Sequence, residues 1–422
     1  MPLAPSQPLL PGLANPSDQL LANGATVVSL FLPDSPLVCL DFWCRAGSVF
    51  ESAAESGMAH FLEHMVFKGS ERLGPGEFDL RIEAMGGNSN AATGFDDVHY
   101  HVLIPPEAAA EALDLLLDLV LHPRLDAAAF DMERQVVLEE LAQSEDQPDE
   151  IALQQLLRLG CPKHAYGQPI LGQRELLLEQ TPAAMAAFHR RLYGANRCVL
   201  AMGGALEPET LAERIASSGL AQLPLVEEPR SRPALVVQPG EHRIEVPRLE
   251  SARLLMLWGL PPASQLHDVM GADLLTTVLA EGRRSRLVER LREQLRIVES
   301  IDLDLHVMEF GSFALLEAIC ETDELASVRK AIDAVWSELL QEGMAEAEWQ
   351  RAQRLVANGY RFGLEAAGAV AGLIGNNRLW GRHHRLELPL EEIGCWSASQ
   401  LLQQAVPLLD PSRACVLEAV PA

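Results

Sequence analysis

No stretch of this chain is apolar for long enough to cross a bilayer, and Met1–Gly12 lacks the charged-then-apolar order of a secretory signal. The expectation is a soluble protein, cytoplasmic by default. Cysteine is sparse and unpatterned: seven residues, with no Cys-x-x-Cys pair. That argues against a thiolate metal site and suits a reducing compartment. Positive charge is scarce too, since 33 Lys and Arg stand against 59 Asp and Glu, a net charge of −26. Such a chain repels nucleic acid and anionic membrane and favours cationic ligands, basic peptides among them. A solvated acidic surface would explain the same composition. There is no P-loop, no Gly-x-Ser-x-Gly elbow and no basic aromatic surface.

What is present is globular. With 422 residues, 48% of them hydrophobic and 22% charged, the chain is too long for one ordinary core. Residues 1–20 read as an extended lead-in. Ala25–Leu32 and Leu37–Arg45 read as strands joined by a hairpin or meander turn at Pro33–Pro36. Ser89–Ile104 reads as one long strand, and amphipathic helices follow at Glu107–Leu121, Asp126–Ser144 and Asp149–Leu159. Proline is dense between Leu220 and Pro247, which prevents continuous helix. The expected division is therefore a first domain over 1–220, a linker over 221–247 and a second domain over 248–422. The second half repeats the element order of the first, as an internal duplication would. The fold class implied is α+β.

Near the start stands Gly57-Met-Ala-His60-Phe-Leu-Glu63-His64-Met-Val-Phe-Lys-Gly69, in a helix-favouring run. Residues four apart share a helical face, so His60 and His64 can aim their imidazoles at one point. Such a pair suits a first-row metal, usually zinc, and Glu63 falls where a carboxylate can take a proton from a metal-activated water. Two core histidines bonded to backbone would give the same spacing. Aligning the two halves puts Asp273, Thr276 and Thr277 opposite His60, Glu63 and His64, so the second half lacks this chemistry.

A catalytic zinc needs a third protein ligand and an open position. On the Asp126–Ser144 helix an apolar stripe of Phe130, Val137 and Leu141 also contains Glu133 and Glu140. These two are separated by two turns, about 10 Å along the axis. Glutamate on a core-facing stripe is costly unless paired or metal-bound, so either is a candidate.

These residues together resemble the pitrilysin-type zinc peptidases, the family of insulin-degrading enzyme and the mitochondrial processing peptidase, marked by an inverted His-x-x-Glu-His motif. The resemblance implies two homologous domains, each an antiparallel sheet with helices on one face, forming half of a clam-shell. It implies a zinc endopeptidase with one zinc on His60, His64 and Glu140, Glu63 as general base, and Glu133 supporting the site. Gly86–Thr93 matches the family's substrate-docking strand, with Asn90 and Ala91 as the positions carried over. His164–Gly172 looks like a further family loop.

One departure stands out. Active members of the family pair an Arg with a Tyr in the second domain to hold a substrate carbonyl. Arg292 fits the first, but Glu299 stands where the tyrosine would be, Ser300 and Val298 do not replace it, and Arg296 stands for the usual glycine. An ionised carboxylate cannot donate a hydrogen bond. The expectation is a heterodimer with a second subunit of the same family that carries the Arg/Tyr pair, as with the beta-type subunit of the processing peptidase. The alternative is a homodimer in which a hydroxyl such as Ser300 donates. Two other readings remain: a non-catalytic binding subunit of the same fold, and an unrelated metal enzyme sharing only the motif.

Overall fold

The computed structural model describes residues 10, 13–228, 232–382 and 385–422. Pro229 of the expected linker and much of the expected lead-in lie outside them. The described end of that lead-in is ordered as strand β1 (Ser17–Leu20), which pairs antiparallel with β2 (Thr26–Phe31). The first sheet continues with β3 (Val38–Cys44), β4 (Asn88–Thr93), β5 (Val98–Ile104) and β6 (Cys198–Gly204). Its order is β1-β2-β6-β3-β5-β4.

Two expectations change here. β2 and β3 are not a hairpin, because the wholly buried β6 lies between them, parallel to β2 and antiparallel to β3. The expected single strand Ser89–Ile104 is a hairpin of β4 and β5. The Gly94-Phe95-Asp96-Asp97 sequence turns the chain, and the Gly94 amide donates to the Asp97 carbonyl at 2.8 Å.

The second sheet comprises β7 (Gly240–Val246), β8 (Ala252–Leu260), β9 (Ser300–His306), β10 (Ser312–Cys320) and β11 (Cys415–Pro421), in the order β7-β11-β8-β10-β9. Setting β2, β3, β4, β5 and β6 against β7, β8, β9, β10 and β11 gives the same order. The parallel pair also falls in the same place, β2 with β6 and β7 with β11. Each last strand arrives by a helical crossover, which leaves it free to pair parallel with one neighbour. The fold class is α+β as expected, with sheets that are mixed because of that pair.

The helices used below are α1 (Met58–Val66), α2 (Glu77–Ala84), α3 (Ala109–Leu121), α4 (Ala127–Glu145), α5 (Pro148–Gly160), α6 (Arg174–Glu179), α7 (Pro182–Leu192) and α8 (Ala212–Ser217). In the second half follow α9 (Leu266–Ala280), α10 (Leu325–Glu342), α11 (Glu346–Phe362) and α12 (Ala367–Leu379). A π-helical segment, Val288–Leu295, stands where α2 does in the first half.

The compact units do not follow one cut in the chain. One comprises Met1–Leu141, Pro169–Arg230 and Arg361–Glu387, and the other Ala142–Gln168, Ser231–Tyr360 and Leu388–Ala422. The equivalent helices α5 and α12 are thus exchanged: α5 packs on β8 and β11, and α12 on β3 and β6. The first sheet consequently carries a helix on the face opposite α1. Glycine makes that approach close, since a Cβ at Gly375 would stand 2.6 Å from the Trp43 ring.

Candidate metal centre

Helix α1 starts at Gly57, whose φ of 81° few L side chains adopt, and a Cβ there would meet the Leu171 carbonyl oxygen at 2.7 Å. The free amides of its first turn are met from outside the helix. Glu51 accepts from the Gly57 and Ala59 backbone N–H groups at 3.0 and 2.8 Å. α4 is fixed against α1 by Phe61 and Phe130, both fully buried with ring centroids 4.4 Å apart. Truncating either to alanine costs about 3–5 kcal/mol.

That packing brings three donors together. His60 Nε2 lies 3.6 Å and His64 Nε2 3.3 Å from the same Glu140 carboxylate oxygen. One donor atom from each residue falls within 4.8 Å of the others. Of the two glutamates on the α4 stripe, Glu133 is buried at 5% exposure, whereas the Glu140 side chain is 44% exposed. The stripe reading holds for Glu133 only; Glu140 sits at the rim, which leaves an open side for water.

Glu133 does not join the three donors. Its two carboxylate oxygens lie 2.9 Å from His64 Nδ1 and 2.7 Å from Lys68 Nζ. It positions His64, leaving Nε2 for a ligand. Glu63 is half-buried and accepts a hydrogen bond from the Thr93 hydroxyl. Lys68 and Thr93 were not assigned these roles from sequence. Lys68 lies close in sequence, in the turn just past the end of α1, while Thr93 is brought in by the sheet.

The electrostatics suit a cation. Burial, with His64 beside it, pushes the His60 pKa down to about 4, so its imidazole is neutral, the form that binds metal. Burial alone would lower His64, but the Glu133 hydrogen bond and the charges of Glu140, Glu133 and Glu63 outweigh it and raise its pKa. For Glu133 burial acts upwards, yet His64 and Lys68 hold the carboxyl below its ordinary value. Burial raises Glu63, opposed by Thr93 and His64. Three carboxylates around two imidazoles and one lysine leave excess negative charge where the Nε2 atoms point. The donor set of two imidazoles and a carboxylate fits zinc.

The other expected residues fall on different elements. Asn90 and Ala91 lie on β4, the edge strand of the first sheet, and the Ala91 amide donates to the Asn90 side chain at 2.9 Å. Arg292 is exposed on the π-helical segment, in the other compact unit. Glu299 accepts from the Ser251 hydroxyl at 3.1 Å. Arg296 takes the left-handed conformation (φ 58°) at the end of that segment, a strained position for a side chain other than glycine's.

The chain is similar to known proteins over most of its length. Residues 26–174 match the family model described as insulinase (peptidase family M16), and residues 180–356 match the model of the peptidase M16 inactive domain. An uncharacterized zinc protease of Mycobacterium tuberculosis is 27% identical over 405 residues, covering 93% of this chain and 87% of that protein. The mitochondrial-processing peptidase subunit beta of Blastocladiella emersonii is 31% identical over 204 residues, 48% of this chain and 44% of that one. The crystal structure of a protease from Helicobacter pylori superposes with a TM-score of 0.90 at 21% identity, covering 97% of this chain and all of the other.

Proposed function

The chain belongs to peptidase family M16, the insulinase family, and from that premise we propose that it is a zinc-dependent endopeptidase. The observation that carries the reading is the meeting of His60, His64 and Glu140 donors beside the half-buried carboxylate of Glu63. Zinc held by those three residues would activate a water towards a pKa of ~7 and polarise a peptide carbonyl.

Glu63 takes the proton from the attacking water and returns it to the leaving amine. Its raised pKa brings it nearer the operating pH, as a general base requires. Thr93 fixes the carboxylate that does this, and Glu133 with Lys68 fixes the His64 ring. An extended peptide adds as a strand beside β4, whose outer edge has no strand partner among the described residues, next to Asn90 and Ala91. The net charge of −26 supports a preference for cationic peptides.

We further propose that the working form is a heterodimer. Glu299 cannot donate to a substrate carbonyl while ionised, so a second, related chain carrying the Arg/Tyr pair supplies the donor opposite Arg292's half of the clamp. A homodimer using Ser300 is the competing arrangement. No helix among the described residues is long and apolar enough to cross a membrane. The free cysteines, all but Cys395 buried, support a reducing, cytoplasmic setting.

The test measures bound zinc and cleavage of unstructured peptides by the purified chain, alone and mixed with a candidate second subunit. Zinc binding with turnover that appears on mixing is expected. A chain that binds no zinc sinks the peptidase reading and leaves the non-catalytic subunit. Full turnover by the chain alone, unaffected by Arg292→Ala, sinks the heterodimer.

A further inference from the structure

A second group of metal-type side chains lies on the strands of the first sheet. The two-residue period of a strand puts Asp41 and Trp43 of β3 on one face with His99 and His101 of β5. The register brings them close. Asp41 stands directly across from His101, and Trp43 directly across from His99. On the far side of β5 the same residues face Asn90 and Ala92 of the edge strand β4.

The opposite side chains, Phe42, Tyr100 and Val102, are buried in the core, where the Tyr100 hydroxyl bonds that of Tyr193 at 2.9 Å. The Asp41 face is only partly covered. α12 crosses β3 and β6, and a Cβ at its Gly372 would lie 3.9 Å from an Asp41 carboxylate oxygen. Beyond it, His99 and His101 remain half-buried.

Asp41 is 2% exposed, and a buried carboxylate is costly unless it is paired. His99 Nδ1 meets one of its oxygens at 3.0 Å. The His99 ring is stacked on Trp43 at 4.1 Å and against His101 at 5.6 Å, which fixes its plane. The His101 ring makes no hydrogen bond among the described residues, its backbone alone being paired within the sheet. An Asp41–His99 pair therefore explains two of the three polar side chains and leaves His101 without a purpose. One donor atom from each of the three falls within 4.8 Å of the others, the same limit that the His60, His64 and Glu140 donors meet.

We propose that Asp41, His99 and His101 bind a second divalent transition-metal cation of the zinc, cobalt or nickel class. Two imidazoles with one carboxylate favour that class over magnesium or calcium, which take mostly oxygen. Ligand atoms on a tetrahedral zinc stand ~3.4 Å apart. Rotation of the His101 side chain, whose ring no hydrogen bond among the described residues holds, closes the present spread. The cation takes the place of the proton between Asp41 and His99 Nδ1, which moves to Nε2 on a neutral ring and leaves for solvent from a protonated one.

The proposal stands independently of the His60–His64–Glu140 assignment, and one experiment separates them. The full chain is stripped with chelator and equilibrated with excess Zn²⁺, and bound metal is counted by elemental analysis. Co²⁺ absorption serves as a second probe. Wild type is expected to hold two ions, His60→Gln/Glu140→Gln one, His101→Asn one, and the triple variant none. A wild type that saturates at one ion, lost in His60→Gln/Glu140→Gln, overturns the second site. So does a second ion that survives His101→Asn. One ion that is lost in His101→Asn but not in His60→Gln/Glu140→Gln supports the second site and defeats the first. Melting of the metal-free variants checks that they fold, and His99→Asn replaces His101→Asn should the latter fail to.

Discussion

Helices α1 and α9 follow equivalent strands in two sheets whose order is the same apart from the added edge strand β1, and the aligned positions on them could hardly differ more. On α1 stand His60, Glu63 and His64; on α9 stand Asp273, Thr276 and Thr277. The α1 side chains reach outward to a second helix, where Glu140 meets both imidazoles. On α9 Thr276 turns back and donates to the Asp273 carbonyl at 3.0 Å, satisfied within its own helix. Among the described residues no metal-type group forms on α9. The same helix in the same fold thus carries a candidate ligand set in one half and only packing in the other. What decides first is the side chains, since α9 has no imidazole at these positions, and then whether a partner element brings a further donor to them, as α4 brings Glu140 to α1.

That contrast can be broken at several strengths. Glu140→Gln should strip most of the zinc, because two imidazoles do not make a stable shell, while Glu63→Gln should keep the metal and lose about 10²–10⁴-fold in kcat. Thr276→Val should alter neither. Elemental analysis beside peptide kinetics reads all three, and equal zinc in wild type and Glu140→Gln would end the ligand assignment. Glu133→Ala comes next. Losing the group that orients His64 should weaken zinc about 10–100-fold, measured by chelator competition.

The two helices should also respond to pH with opposite signs in the metal-free protein. Burial depresses His60 from 6.5 to about 4, so the stability it contributes is whole above pH 6.5 and lost as pH falls through 4. Asp273 goes the other way: burial, then Glu281, raises it from 3.8 to about 6. Its charge is penalised in the folded state above pH 6, and that penalty disappears towards pH 3.8. Asp273→Asn should therefore stabilise at pH 7 by on the order of 1–3 kcal/mol and by little near pH 4, read from denaturant melts at both pH values. The same gain at both would refute the burial account. The smallest effect expected is at the edge strand. Asn90→Ala should raise KM about 2–10-fold, the worth of one hydrogen bond, with kcat held. An unchanged KM would remove Asn90 from substrate docking.

Much of the candidate site was legible in the sequence because helices are local. A period of 3.6 residues fixes that His60, Glu63 and His64 share a side, and that Glu133 and Glu140 stand two turns apart, before any tertiary contact forms. The same locality made the helices expected at Asp126–Ser144 and Asp149–Leu159 readable to within one residue at their ends. Strand identity was legible too, but not strand partners. Nothing in residues 25–45 announces that β6, from more than a hundred and fifty positions later, will separate β2 from β3.

Sequence by itself therefore determined the α+β class, the duplication, and that His60, Glu63 and His64 share one side of a helix. Tertiary structure decided the rest. It exchanged α5 with α12, put Glu140 at the rim where the stripe pattern had buried it, and gave Glu133 to His64 and Lys68. It also set Asp41 beside His99 and His101, residues more than fifty positions apart along the chain. The physical reason is the same throughout. Helical spacing is set by hydrogen bonds four residues apart, whereas strand order and helix docking are set by which distant apolar faces bury each other best.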